Sequence, residues 1–141
     1  MNLKEIFINL LLEIGFNLNE INNLWLDLEK TYSKKSRYYH NLTHLEEMVF
    51  WFLKYKQQLQ QPNEVLYSIF YHDYVYKVTR KDNELKSAEH AIALLKPNQQ
   101  LNKQLVFDLI LATQLHHHNQ NKDINWLIDF DLKILSKDWE D

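Results

Sequence analysis

Cysteine is absent from this chain of 141 residues. That one absence removes disulfide frameworks, thiolate zinc sites and cysteine nucleophiles together, and it leaves histidine and carboxylates as the only strong metal ligands. Glycine occurs once and proline twice, too few for a strand-and-turn architecture, because tight hairpins draw on residues that tolerate positive φ. No stretch approaches the ~20 apolar residues of a membrane span. The apolar start, Ile6 to Ile14, carries Asn9 and Glu13 and lacks a small-residue cleavage site. A cytoplasmic protein with no membrane partner is therefore expected. An excess of one charge is missing as well: a net charge of -3 and a pI near 6.1 give no field that draws the chain onto polyanions, and broad nucleic-acid binding is not expected.

What is present reads as one ordinary domain spanning residues 1–141, with an apolar fraction of 45% and a charged fraction of 25%, both close to those of globular proteins. Leu3, Ile6, Phe7, Leu10, Leu11 and Ile14 form the stripe of a first amphipathic helix, closed by Gly15. Asn19 is the expected cap of a second, with Ile21, Leu24, Trp25, Leu28 and Tyr32 inward, followed by a basic loop from Ser33 to Arg37. A third starts near Asn41, turns Leu42, Leu45, Met48, Val49 and Phe52 inward, and dissolves in the solvated run Gln57 to Gln61. Asn63 is the expected cap of a fourth, whose apolar residues Val65, Leu66, Ile69 and Phe70 lead to His72 and Asp73. After a link from Tyr74 to Asp82, a fifth runs from Asn83 to about Leu95 with Leu85, Ala88, Ala91, Ile92 and Leu95 inward, stopped by Pro97. Leu105, Val106, Leu109, Ile110 and Thr113 mark a sixth, and Ile124, Leu127, Ile128, Asp131, Ile134 and Leu135 a last. The fold class is all-α, a bundle of about six or seven helices.

Asp131 is the most informative position. A carboxylate inside an apolar stripe bears a large desolvation cost unless something positive faces it, whether Arg, Lys or a metal. Asp129 leans toward a different face. His72-Asp73 puts an imidazole and a carboxylate side by side at a helix end, a dyad common enough by chance that its context must carry any claim. His40 and His44 are four apart and would share a face on a continuous helix, but a cap at Asn41 interrupts that geometry and leaves His44 as the inward residue. Beyond the sixth helix, the stripe through Leu109, Ala112 and Thr113 continues to His116, which points inward while His118 faces solvent.

Five segments in order, Arg37-Tyr-Tyr-His40-Asn-Leu-Thr-His44-Leu, Tyr71-His72-Asp73-Tyr-Val-Tyr, Asn83-Glu84-Leu-Lys-Ser87-Ala, Ala112-Thr113-Gln-Leu-His116 and Asp129-Phe-Asp131-Leu-Lys-Ile-Leu, resemble the predicted metal-dependent HD-superfamily phosphohydrolases. The resemblance runs from Trp25 to Leu135 and implies an HD-domain-like helical bundle. It implies His44, His72, Asp73 and either Asp131 or Asp129 as metal ligands; periodicity favours Asp131. His116 matches a position that supplies an additional ligand in two-metal members, so one or two ions remain open. Imidazole and carboxylate donors together suit Mn, Fe, Ni, Co or Zn. The implied activity is hydrolysis of a small phosphorylated substrate, an ester or anhydride with nucleotides among the candidates. In it Asp73 ligates the ion or bridges two, Arg37 or a nearby Lys offers charge to the phosphate, and Glu84 serves as a supporting or proton-transfer carboxylate. Proteins of this kind usually continue with further helices beyond the segment that ends at Leu135, so a C-terminal truncation is an expectation here. The alternative is a catalytically idle helical module that holds a metal or nucleotide for regulation or assembly.

Overall fold

The computed structural model describes residues 2–34, 37 and 40–140, with the side chains of 134–140 excepted. The described residues form seven α-helices and no strand: α1 (Leu3–Ile14), α2 (Leu18–Tyr32), α3 (Leu42–Tyr55), α4 (Pro62–Tyr71), α5 (Asn83–Ala93), α6 (Lys103–Leu115) and α7 (Lys122–Glu140), with a 3-10 turn at Lys56–Gln58. Lys35 and Ser36 of the basic loop, Tyr38 and Tyr39 of the first motif, and the inward side chains expected at Ile134 and Leu135 lie outside the described residues.

Helix ends follow local chemistry, and two caps differ from expectation. The cap of α2 is Asn17, not Asn19: its side chain accepts the Glu20 N–H at 2.8 Å while the Glu20 carboxylate accepts the Asn17 N–H at 3.2 Å. Asn19 has Asn22 three residues on, and only Asn17 has the glutamate that closes the reciprocal box. Helix α4 starts at Pro62 rather than after an Asn63 cap, since proline at the first helical position gives up an N–H that would have no partner anyway. The start of α4 is tied instead by Asp123 of α7, whose buried carboxylate accepts the Gln60 and Gln61 N–H groups at 2.9 and 2.7 Å. The run Gln57 to Gln61 is therefore anchored rather than simply solvated, and Leu59 within it is buried. Asn41 caps α3 as expected, accepting the His44 N–H at 3.1 Å. Gly15 closes α1 at φ 120°, a conformation that favours glycine.

Helix α4 is the hub. Every residue from Val65 to Tyr71 is buried, and the helix packs against α1, α3, α5, α6 and α7, as expected of a helix apolar all round. Phe7 of α1 meets Phe70 edge-on, with ring centroids 5.0 Å apart. On α5 the expectation for Leu85 fails: it is exposed, while Ala88 and Ala91 carry the close contact. The C-terminal end of this hub is His72-Asp73, so the surrounding helices converge on the two residues that the sequence singles out.

Candidate metal centre

Three elements bring the site together. His44 stands in the first turn of α3, oriented by the Asn41 cap; His72 follows the last turn of α4; Asp131 projects from α7. One donor atom from each lies within 4.8 Å of the other two, a grouping able to hold a metal ion. His44 Nε2 is 3.0 Å from Asp131 Oδ1, and His72 Nε2 is 3.7 Å from the same oxygen. Asp73 Oδ2 closes the group at 3.1 Å from His72 Nε2 and 3.9 Å from His44 Nε2.

His72 provides the test of fit. Its Nδ1 lies 2.7 Å from the Ile69 carbonyl, which can only accept, so Nδ1 carries the proton and Nε2 of the neutral ring presents a lone pair. That Nε2 is buried, makes no hydrogen bond of good geometry among the described residues, and faces the Asp73 and Asp131 carboxylates at 3.1 and 3.7 Å. A lone pair against two anions is repulsive, and either a second proton on the ring or a metal cation at that nitrogen removes the repulsion. Burial alone would depress the His72 pKa, but Asp73 and Asp131 overcome it and hold it well above the ordinary 6.5. Burial would likewise raise the Asp131 carboxyl, yet His116, His44 and His72 hold it well below its usual range. Asp73 is depressed in the same way, against its burial, by His72 and His40. The residues present fit a divalent cation with mixed nitrogen and oxygen donors.

His116 sits where the stripe of α6 predicts, and its backbone explains how. It closes α6 in the left-handed conformation, φ 54° and ψ 34°, which turns the ring back so that Nε2 meets Asp131 Oδ2 at 2.7 Å. That hydrogen bond raises its pKa above 6.5. His118 stays outside, 73% exposed and 4.0 Å from Asp129. Asp129, itself half exposed, is not in the cluster, so of the two aspartates Asp131 is the one placed at the site.

One expectation changes. Arg37 does not face a substrate: it is 6% exposed, and its guanidinium donates to the carbonyls of Asp73 and Tyr74, each at 2.6 Å, and to that of His40 at 3.3 Å. It clamps the α3 entrance onto the chain just beyond α4, satisfying backbone carbonyls there. Glu84, expected as a supporting or proton-transfer carboxylate, is half-buried at the start of α5, where its charge acts on His116. Its motif neighbours matter more. Asn83 exchanges two hydrogen bonds with Lys77, and Ser87 two with Val75, which pins the link after Tyr74 onto α5.

His40 is the site residue that the sequence reading passes over. Its Nδ1 is 2.9 Å from Asp73 Oδ2 and its ring stacks on Tyr76 at 4.0 Å. Asn41 does break the helix between His40 and His44, but the non-helical residue still points inward. Tyr32 was legible only as core; its hydroxyl donates to the Phe70 carbonyl at 2.9 Å and accepts the Asp73 N–H at 3.3 Å.

No family model, curated protein or solved structure matches this chain.

Proposed function

We propose that this chain is a divalent-metal-dependent phosphohydrolase of the HD-superfamily type, acting on a small phosphate ester or anhydride. The observation that carries the proposal is the buried Nε2 of His72, turned toward the Asp73 and Asp131 carboxylates and converging with His44. His44, His72 and Asp131 are the residues that would hold the ion, with Asp73 as the further donor. A bound ion of the Mn, Fe, Co, Ni or Zn type supplies Lewis acidity toward a phosphoryl oxygen and acidifies water. His40, about one-third exposed and fixed through Nδ1 by Asp73, leaves its other ring nitrogen free to exchange a proton with substrate or water. His116 holds Asp131 Oδ2, while Oδ1 faces His44 and His72; the His116-Asp131 pair is also the one that would be available to a second ion.

A second reading, a non-catalytic module that keeps its metal for regulation or assembly, is favoured by one observation, the withdrawal of Arg37 from the substrate side. Loading the purified protein with Mn, Ni, Co or Zn and assaying phosphomonoesters, phosphodiesters and nucleotides separates the two. Metal-dependent release of phosphate that disappears in His72→Ala supports the hydrolase. Metal uptake without turnover on any of these classes supports the module.

A further inference from the structure

We infer that Asp27, on the outer face of α2, is a positioning residue for the metal centre that acts through Tyr74 on Asp73; the inference rests on the metal-binding reading above. Asp73 lies beyond the end of α4, so the direction of its carboxylate is set by the backbone at residues 73 and 74 rather than by helical geometry. That backbone is held at its N–H by Tyr32 and at both carbonyls by Arg37. The Tyr74 N–H also donates to the Tyr71 carbonyl at 3.1 Å, and a further hold is on the Tyr74 side chain. Its hydroxyl donates to Asp27 Oδ2 at 2.6 Å, a short charge-assisted bond, with Thr31 one turn further along α2 within reach of the same hydroxyl. Its ring lies flat on His90 of α5, centroids 4.0 Å apart at 3°. Tyr74 thus spans α2 and α5 while carrying one end of the Arg37 clamp.

Asp27 is exposed, so losing it removes little that the whole fold depends on, and the consequence concentrates on the segment it anchors. A strut of this kind has a signature that general destabilisation lacks: metal affinity falls while the melting temperature of the metal-free protein stays close to wild type.

The test compares full-length wild type, Asp27→Ala, Tyr74→Phe, the double variant and Asp27→Asn. Mn affinity is read by titration calorimetry, metal-free stability by thermal melting, and the His40 imidazole by 15N NMR without metal, because His40 Nδ1 reports where the Asp73 carboxylate points. Each single change is expected to weaken Mn binding about fivefold, short of the roughly ten- to hundredfold of a direct outer-shell partner, and to shift the His40 signal. The double variant should be no worse than either single one, and Asp27→Asn, whose amide oxygen still accepts from the hydroxyl, should keep most of the affinity. Unchanged affinity in both single variants, losses that add in the double variant, or losses matched by a fall in metal-free melting temperature overturn the inference. If wild type takes up no Mn but the His40 signal still moves in Tyr74→Phe, the metal-binding reading fails and the positioning of Asp73 stands; if neither occurs, both fail.

Discussion

Replacing Tyr32 by phenylalanine takes away one oxygen and leaves the ring, so no cavity forms. The hydroxyl is fully buried and serves two backbone groups at the end of α4: it donates to the Phe70 carbonyl at 2.9 Å and accepts the Asp73 N–H at 3.3 Å. Both groups become unsatisfied in the variant. Removing the buried hydroxyl recovers its own desolvation cost, but an orphaned backbone group costs about 1–3 kcal/mol. The short bond to Phe70 dominates and the long one to Asp73 adds less, which gives a net loss of about 2 kcal/mol. For a chain of this size that is a fall in Tm of roughly 6–8 °C, and urea unfolding should show a lower midpoint at unchanged m. Tyr71 is the comparator: it is equally buried, yet its hydroxyl has no hydrogen-bond partner among the described residues. Tyr71→Phe is accordingly expected to be neutral or to stabilise by about 1 kcal/mol. Tyr32→Phe within about 0.5 kcal/mol of wild type, or Tyr71→Phe as damaging as Tyr32→Phe, would refute the hydrogen-bond reasoning at this helix end.

Asp131→Asn should abolish retention of Mn by elemental analysis while Asp129→Asn keeps it; the reverse order would mean that α7 presents the other face to the site. His116→Ala should weaken Mn binding roughly tenfold through loss of its bond to Asp131, whereas His118→Ala, out on a solvated loop, should bind like wild type; equal behaviour would remove His116 from the site. The pH dependence has a defined sign. His72 and His116 have pKa values raised above 6.5, so their contribution to metal-free stability is present in full below 6.5 and is lost as pH rises through the raised values. Asp73 and Asp131 are depressed below 3.8, and their contribution is present above 3.8 and lost as pH falls through the depressed values. In chelator the Tm should therefore decline above pH 6.5. With Mn the stabilisation should grow over the same range, because the ion competes with imidazole protons. A Tm gain from Mn that shrinks as pH rises would contradict this coupling.

Much of the fold was legible because it rests on periodicity. The stripes of α1, α3 and α6 land on buried residues but for Ile6 and Leu42, which are partly buried, and Asp131 is drawn inward by Ile124, Leu127 and Ile128 on its own face. The site was legible to the extent that helix phase and caps decide it: His44 follows from the Asn41 cap, Asp131 from its stripe, and His72-Asp73 from the end of an apolar helix. What escaped lies where backbone leaves the helix. His40 precedes a cap, and only the tertiary fold brings its ring to Asp73. Arg37 reads as a loop cation, and nothing local reveals that two carbonyls beyond α4 claim its guanidinium. Asp27 sits on an exposed face, and its bond to Tyr74 joins residues 47 apart in sequence. The caps of α2 and α4, Asn17 and Gln61, were each misplaced by two residues; reciprocal bonding with Glu20 decided the first, and proline at the first helical position the second.

The most direct test of the central claim is the metal content of the purified chain, measured by elemental analysis after loading with Mn, Ni, Co or Zn and exhaustive dialysis, for wild type and His72→Ala side by side. The account predicts that wild type keeps at least one ion per chain and gains thermal stability from it. His72→Ala, still helical by circular dichroism, should keep none and gain nothing. Wild type that retains no ion, or a variant that retains as much as wild type, would contradict the assignment of the His44, His72, Asp73 and Asp131 cluster as a metal centre.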